Sequence, residues 1–273
     1  MVKLRGEEVW AAACVEAALP GVEVRQHDDN SRNSMHDLDL VRDGKAVGAC
    51  EVTAAADRQL IQLWNLVNGR DERYIEPSLR GGWTVSLRPT CRKNTLMLGL
   101  RSLLEELEAR QISKAGQYWT PPDVEERMEA LGIDHVFQGG TDFPGSVYFT
   151  IDLPPEMNGG AVPETGDALC EWLEGWIADP ARDRKIAKLL KSEAPEKHLF
   201  VILPGFSQAP FVAADVLMRD HGPLPTKSPQ LPEGLTHVWA MSTWSSGDLF
   251  AWSSADGWTR HEKITTVPAR LAA

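Results

Sequence analysis

The chain lacks most of the signals that announce a protein's chemistry outright. Its four cysteines, Cys14, Cys50, Cys91 and Cys170, form no C-x-x-C pair. That disfavours a cysteine-only zinc site and predicts buried free thiols in a reducing cytoplasm. The seven histidines show no H-x-x-x-H or H-E-x-x-H spacing, which disfavours a zinc hydrolase. No P-loop, no G-x-G-x-x-G loop and no G-x-S-x-G elbow occurs, so nothing supports an NTPase, a dinucleotide enzyme or a serine hydrolase. No apolar run reaches the length of a membrane span before a charge, Gly or Pro interrupts it. The stretch Met1 to Glu8 turns acidic at once, unlike a signal peptide. A cytoplasmic protein without a membrane partner is the expectation. Basic residues are also scarce: 28 Lys and Arg against 39 Asp and Glu leave a net charge of −11. This counts against nonspecific coating of nucleic acid, but not against an enzyme that grips a phosphodiester locally through metal ions.

What the 273 residues do contain is ordinary globular material, 42% hydrophobic and 25% charged. Helical spacing marks residues 6–19, 57–67, 94–109, 121–131, 166–177, 181–192 and 211–218. Strand patterns fall at 22–25, 35–41, 46–53, 83–87, 136–137, 146–151, 197–203, 236–241 and 249–252. Alternation of the two predicts an α/β fold with a mixed central sheet flanked by helices. The Pro- and Gly-rich stretch from Leu153 to Thr165 suggests a boundary. The expected organisation is a core at 1–152 and an α/β extension at 153–273 packed on the same sheet.

The informative segment is an acidic hairpin. On a strand, Asp37 and Asp39 share one face, and on the returning strand Glu51 and Thr53 share one. Asp43-Gly44 is ordinary chemistry for the turn between them. Asp-x-Asp beside a turn is common on a solvated edge, but Glu51 is a lone carboxylate inside an apolar strand, and such a group needs a partner or a metal. Converging carboxylates suit a hard cation, Mg²⁺ or Mn²⁺, which can polarise a phosphodiester and activate water.

The run from Asp39 through Asp43-Gly44 to Glu51-Val52-Thr53 resembles the PD-(D/E)XK, or restriction-endonuclease-like, superfamily over about Gly6 to Val67. The resemblance implies a restriction-endonuclease-like core with Asp39 and Glu51 as metal ligands and Asp37 as the alternative first aspartate. Glu8 would be a further acidic member, and Gln59 or Gln62 would touch substrate or water. Thr53 stands where the family has its catalytic lysine, so Thr53 would orient the water while Arg58 or Lys45 offsets charge.

Arg182, Arg184, Lys185, Lys188 and Lys191 form the densest basic cluster, either a phosphate-facing helix or a solvated one. His198 reads as a hydrogen-bonded strand-end residue. Of ten tryptophans, Trp172, Trp176, Trp239, Trp244, Trp252 and Trp258 crowd the last part, where packing competes with stacking on bases. The expected function is a divergent metal-dependent nuclease that hydrolyses, or once hydrolysed, phosphodiesters in DNA or RNA. The alternatives are a non-catalytic binding or regulatory protein on the same scaffold, with a homodimer one expected state, or a small-molecule enzyme using the Trp-rich C-terminal part.

Overall fold

The computed structural model describes residues 4–29, 31, 34–69, 74–116, 119–140 and 142–266. The chain opens with helix α1 (Gly6–Ala18) and strands β1 (Glu23–Gln26), β2 (Leu38–Arg42) and β3 (Lys45–Ala54). Next come α2 (Arg58–Asn68), β4 (Tyr74–Ile75), β5 (Trp83–Leu87), α3 (Lys93–Ala109), β6 (Lys114–Ala115), α4 (Pro122–Leu131), β7 (Ile133–Gln138) and β8 (Ser146–Ile151). The last part holds α5 (Pro155–Asn158), α6 (Asp167–Ile177), α7 (Asp183–Leu190), β9 (Glu196–Leu203), α8 (Phe211–Ala214), β10 (His237–Ser242), β11 (Leu249–Ser253) and β12 (Gly257–His261).

These elements make two compact units. The first combines the chain up to Ala56 with everything from Glu156, and the second is Asp57–Pro155. The first unit holds a seven-stranded mixed sheet in the order β1-β2-β3-β9-β10-β11-β12. Its central strands β3, β9 and β10 run parallel, while the pairs β1/β2, β2/β3, β10/β11 and β11/β12 are antiparallel. The fold is therefore α/β with a mixed central sheet and flanking helices. The expected division at 152/153 differs from this arrangement. Residues 57–155 form a body of their own, and the strands after 156 complete the sheet that β1–β3 begin.

Side-chain alternation explains the two layers of the first unit. Leu38, Leu40, Cys50, Val52, Phe200, Ile202, Trp239 and Met241 face α1 and its buried Ala11, Cys14 and Val15. Ala49, Leu199, Val201, Val238 and Ala240 face the other way, onto Leu169, Leu173 and Ile177 of α6 and Ile186 and Leu189 of α7. Trp172 and Trp176 pack in this second layer, with their rings 5.8 Å apart. The β2–β3 turn places Asp43 at φ 51° and Gly44 at φ 74°, the left-handed backbone that a tight hairpin demands. All four cysteines are free thiols. Among the described residues no helix is long and apolar enough to cross a membrane.

The second unit carries a five-stranded sheet, order β4-β8-β5-β7-β6. Its core joins Trp83, Val85, Leu87, Val147 and Phe149 to the leucine face of α3. Asp57 caps α2 by accepting from the backbone of Gln59 and Leu60, and Gly132 ends α4 in the left-handed conformation. Three short strands, β4, β6 and β12, escape a periodicity reading. The helix expected over 211–218 is split into α8 and a 3₁₀ turn at Asp215–Leu217.

Helix α7 depends on Ile186 and Leu189 to hold it against β3 and β9. Leu189→Ala is expected to cost about 2–5 kcal/mol of stability. Urea denaturation followed by circular dichroism measures this, and a cost near zero would mean α7 is not anchored through this residue.

Candidate active site

Strand β3 starts exposed at Lys45 and is buried from Gly48 to Thr53. Glu51 lies near its buried end, paired in register with Leu199 of β9, and is only 1% exposed. Glu51 faces the α7 side of the sheet, because its neighbours Cys50 and Val52 face α1.

Asp37 sits just before β2, one step beyond the Leu38–Cys50 pair, and is buried. A β-bulge between Leu40 and Val41 shifts the register by one residue. Without that shift Asp37 would run opposite Cys50; with it, Asp37 runs opposite Glu51. Asp37 Oδ2 accepts the Val52 N–H at 2.8 Å, which fixes the carboxylate where the β2–β3 ladder stops.

The cations come from α7. Lys185 and Lys188 each precede a buried residue, Ile186 and Leu189, so they flank the apolar stripe and are turned about 100° from it. Lys188 Nζ donates to Glu51 Oε1 at 3.1 Å, lies 2.9 Å from Oε2, and reaches Asp37 Oδ1 at 3.5 Å. Lys185 Nζ donates to the Val52 carbonyl at 3.1 Å and sits 3.9 Å from Glu51 Oε1. On the far side, Arg5 comes within 4.0 Å of Asp37 and pairs with the buried Glu8, whose Oε2 accepts the Arg5 backbone N–H at 2.8 Å. Glu8 thus acts on the cluster through Arg5.

The electrostatics follow from burial. Desolvation and the nearby Asp37 charge push the Glu51 carboxyl up to about 7, against the pull of Lys188 and Lys185. Burial also lowers the Lys185 ammonium, and Glu51 and Asp37 only partly offset it. For Lys188 burial again acts downward, but the Glu51 hydrogen bond and the charges of Glu51 and Asp37 outweigh it and hold the ammonium above its ordinary value.

Several residues expected at this site lie elsewhere. Asp39 is not paired with Glu51; it runs opposite Ala49. Its carboxylate is taken by His27 Nδ1 at 2.9 Å and His36 Nε2 at 2.7 Å, whose rings stack 3.7 Å apart. Burial opposes ionisation of Asp39, but these two histidine contacts outweigh it and lower its pKa. Lys45 is exposed at the opposite end of β3, six residues from Glu51, or roughly 20 Å along a strand. Arg58, Gln59 and Gln62 are exposed on α2, in the second unit. Thr53 is buried on the Glu51 face of β3. Of the basic helix, Arg184 and Lys191 are exposed, while Lys185 and Lys188 turn inward. His198 is a buried structural residue: Trp239 Nε1 donates to its Nδ1 and Glu196 takes its Nε2.

The donor set suits a hard divalent cation. Two carboxylates and one main-chain carbonyl, all oxygen, converge on α7. Glu51 Oε2 is buried and makes no hydrogen bond, and the Lys188 ammonium, 2.9 Å away, is the cation that faces it. Asp37, Glu51 and the Val52 carbonyl are therefore the residues that would hold Mg²⁺ or Mn²⁺. No protein-family model, curated protein or solved structure matches this chain.

The raised Glu51 pKa has a consequence for stability. The folded state binds the Glu51 proton more tightly than the unfolded state, so this group's contribution to stability falls as pH rises from about 4.5 to about 7 and is flat above. In metal-free buffer, Glu51→Gln should gain thermal stability relative to the parent across that window and hold the gain at higher pH. Melting curves between pH 4.5 and 8.5 in EDTA check this, and a gap that is constant or shrinks with pH would contradict the assignment.

Proposed function

We propose that the Asp37–Glu51–Lys185–Lys188 cluster is the catalytic centre of a metal-dependent phosphodiesterase that acts on DNA or RNA. The observation that carries the reading is the meeting of two buried carboxylates with two lysine ammoniums at one end of a central parallel strand. The PD-(D/E)XK resemblance supports it in modified form. Asp37 stands in the role first assigned to Asp39, and the basic group missing at Thr53 is supplied from α7.

Bound Mg²⁺ or Mn²⁺ would supply Lewis-acid polarisation of a phosphoryl oxygen and lower the pKa of water. The protein's own groups do the rest. The Val52 N–H orients Asp37, and the Val52 carbonyl is held in place by Lys185. Lys188, displaced from between the carboxylates when the metal binds, would offer a positive charge beside the reacting phosphate, where charge builds up as the bond breaks. Exposed Arg184 and Lys191 on the outer face of α7 would meet backbone phosphates, a local basic patch on an acidic chain. The four free thiols suit the reducing cytoplasm, where we place the protein.

The competing reading is a closed ion-pair network that only stabilises the fold, and one experiment separates the two. Isothermal titration with Mn²⁺ should show one class of site that weakens at least about tenfold in Asp37→Asn and in Glu51→Gln but persists in Asp39→Asn. Cleavage of single- or double-stranded DNA or RNA should then drop at least about a hundredfold in Lys188→Ala. No Mn²⁺ binding to the folded parent would leave the structural network as the answer.

A further inference from the structure

Among the described residues, three groups of His and carboxylate side chains bring their ligand atoms within 4.8 Å of one another. Two of them have that position taken. In Glu196–His198–His237 the Trp239 indole N–H donates to His198 Nδ1 at 3.0 Å, so the neutral ring carries its proton on Nε2. Nε2 is the nitrogen turned to Glu196, and the proton closes it to a metal. In Asp134–His135–Asp152 the Arg88 guanidinium comes within 4.0 Å of Asp134 and already supplies a cation. His27, His36 and Asp39 meet neither obstacle.

These three residues come from both ends of the β1–β2 connection. His27 follows β1 directly, and its N–H donates to the Asp37 carbonyl at 3.0 Å, which continues the β1–β2 pairing by one step. That puts the His27 side chain on the face of Asp39, diagonally across the pair. His36 lies just before β2 and is only 7% exposed. Its ring stacks on that of His27, 12° from parallel. His27 Nδ1 and His36 Nε2 therefore aim at the two oxygens of one carboxylate, at 2.9 and 2.7 Å. Arg25, opposite Asp39 in the register, turns its guanidinium to Glu23 instead. Among the described residues no group other than Asp39 engages a ring nitrogen of either histidine. Each ring can thus keep its proton on the far nitrogen and present a lone pair to an ion. Zinc bonds to nitrogen and oxygen run about 2.0–2.2 Å and set tetrahedral donors about 3.3 Å apart, so the present gaps need to open by about half an ångström. The His27 and Asp39 side chains are each 28% exposed, which gives the ion a way in.

We propose that His27, His36 and Asp39 bind a borderline divalent transition metal, with Zn²⁺ the expected ion. Two imidazoles and a carboxylate suit Zn²⁺, whereas the all-oxygen Asp37–Glu51 cluster suits Mg²⁺ or Mn²⁺. Three protein ligands leave a fourth position for water. The ion would clip together the two ends of the β1–β2 connection, the kind of cross-link that stabilises a closed loop. His36 and Asp39 also flank Asp37 in the sequence, so the clip would steady the main chain that carries Asp37. The site stands apart from the phosphodiesterase reading, since neither Asp37 nor Glu51 is a ligand.

The test is isothermal titration of Zn²⁺ into the full-length, tag-free protein, stripped with EDTA and then freed of it. The expected result is a class of site whose Kd rises at least about tenfold in His27→Gln and in Asp39→Asn and is unchanged in Glu51→Gln. NMR of the histidine ring nitrogens identifies the ligand atoms: His27 Nδ1 and His36 Nε2 should shift as Zn²⁺ is added, while those of His198 and His237 stay in place. These shifts are read on the parent protein, so the outcome does not hang on the folding of a variant. A folded parent that takes up no Zn²⁺, or an affinity indifferent to both His27→Gln and Asp39→Asn, overturns the proposal and leaves a hydrogen-bonded His–Asp–His group. Zn²⁺ binding lost in Glu51→Gln but kept in His27→Gln overturns it as well, because the ion then sits at the carboxylate–lysine cluster. Mn²⁺ binding at that cluster is read in its own titration, so failure at either site is not mistaken for failure at the other.

Discussion

A carboxylate buried on the central strand of a sheet must be neutralised where it stands, and the organisation of the first unit turns on that requirement at Glu51. Removing such a group from water costs several kcal/mol unless charge and hydrogen bonds replace the lost solvent. Two lysines from α7 provide the positive charge, while Asp37 adds a second negative one that works against it. The outcome is a carboxyl whose pKa is pushed up to about 7 while both of its oxygens face the Lys188 ammonium. Two carboxylates against two ammoniums balance in charge as they stand, so the proposed metal ion would have to take the place of Lys188 between Asp37 and Glu51.

Local devices set that geometry. The bulge at Leu40/Val41 brings Asp37 level with Glu51, while Asp39, opposite Ala49, makes a separate pairing with His27 and His36. The apolar stripe of α7 fixes the helix on β3 and β9, and its flank then delivers Lys185 and Lys188. Arg5 links Glu8 to Asp37 from the side of α1. Charge from three places in the sequence, 5–8, 37–51 and 185–188, thus meets in one unit.

The α/β class and the hairpin were legible because strand alternation, the Asp43-Gly44 turn and leucine spacing are local signals. Glu51 was legible for the same reason, as a carboxylate out of place in an apolar strand. The place of Asp37 was not decidable, since a one-residue bulge leaves no mark in the residue types yet decides whether His36 or Asp37 runs opposite Glu51. The basic partner was sought near the hairpin, at Lys45 and Arg58, whereas parallel pairing of β3 with β9 brings in a helix more than 130 positions away. The amphipathic spacing of Ile186 and Leu189 beside Lys185 and Lys188 was the one available hint that two of the five basic residues turn inward. The discontinuous first unit escaped as well, because a boundary in composition does not reveal which strands the returning chain will join. The tryptophan cluster at the C-terminus serves mainly as core, with Trp239 fully buried and Trp176 in the second layer.

Anomalous scattering from a crystal grown with Mn²⁺ would test the central assignment most directly. A peak bound by Asp37 and Glu51, with Lys188 Nζ displaced from between the two carboxylates, is the expected result. Lys188 still bridging them in the presence of Mn²⁺, with the peak absent or lodged at His27, His36 and Asp39 instead, would contradict it.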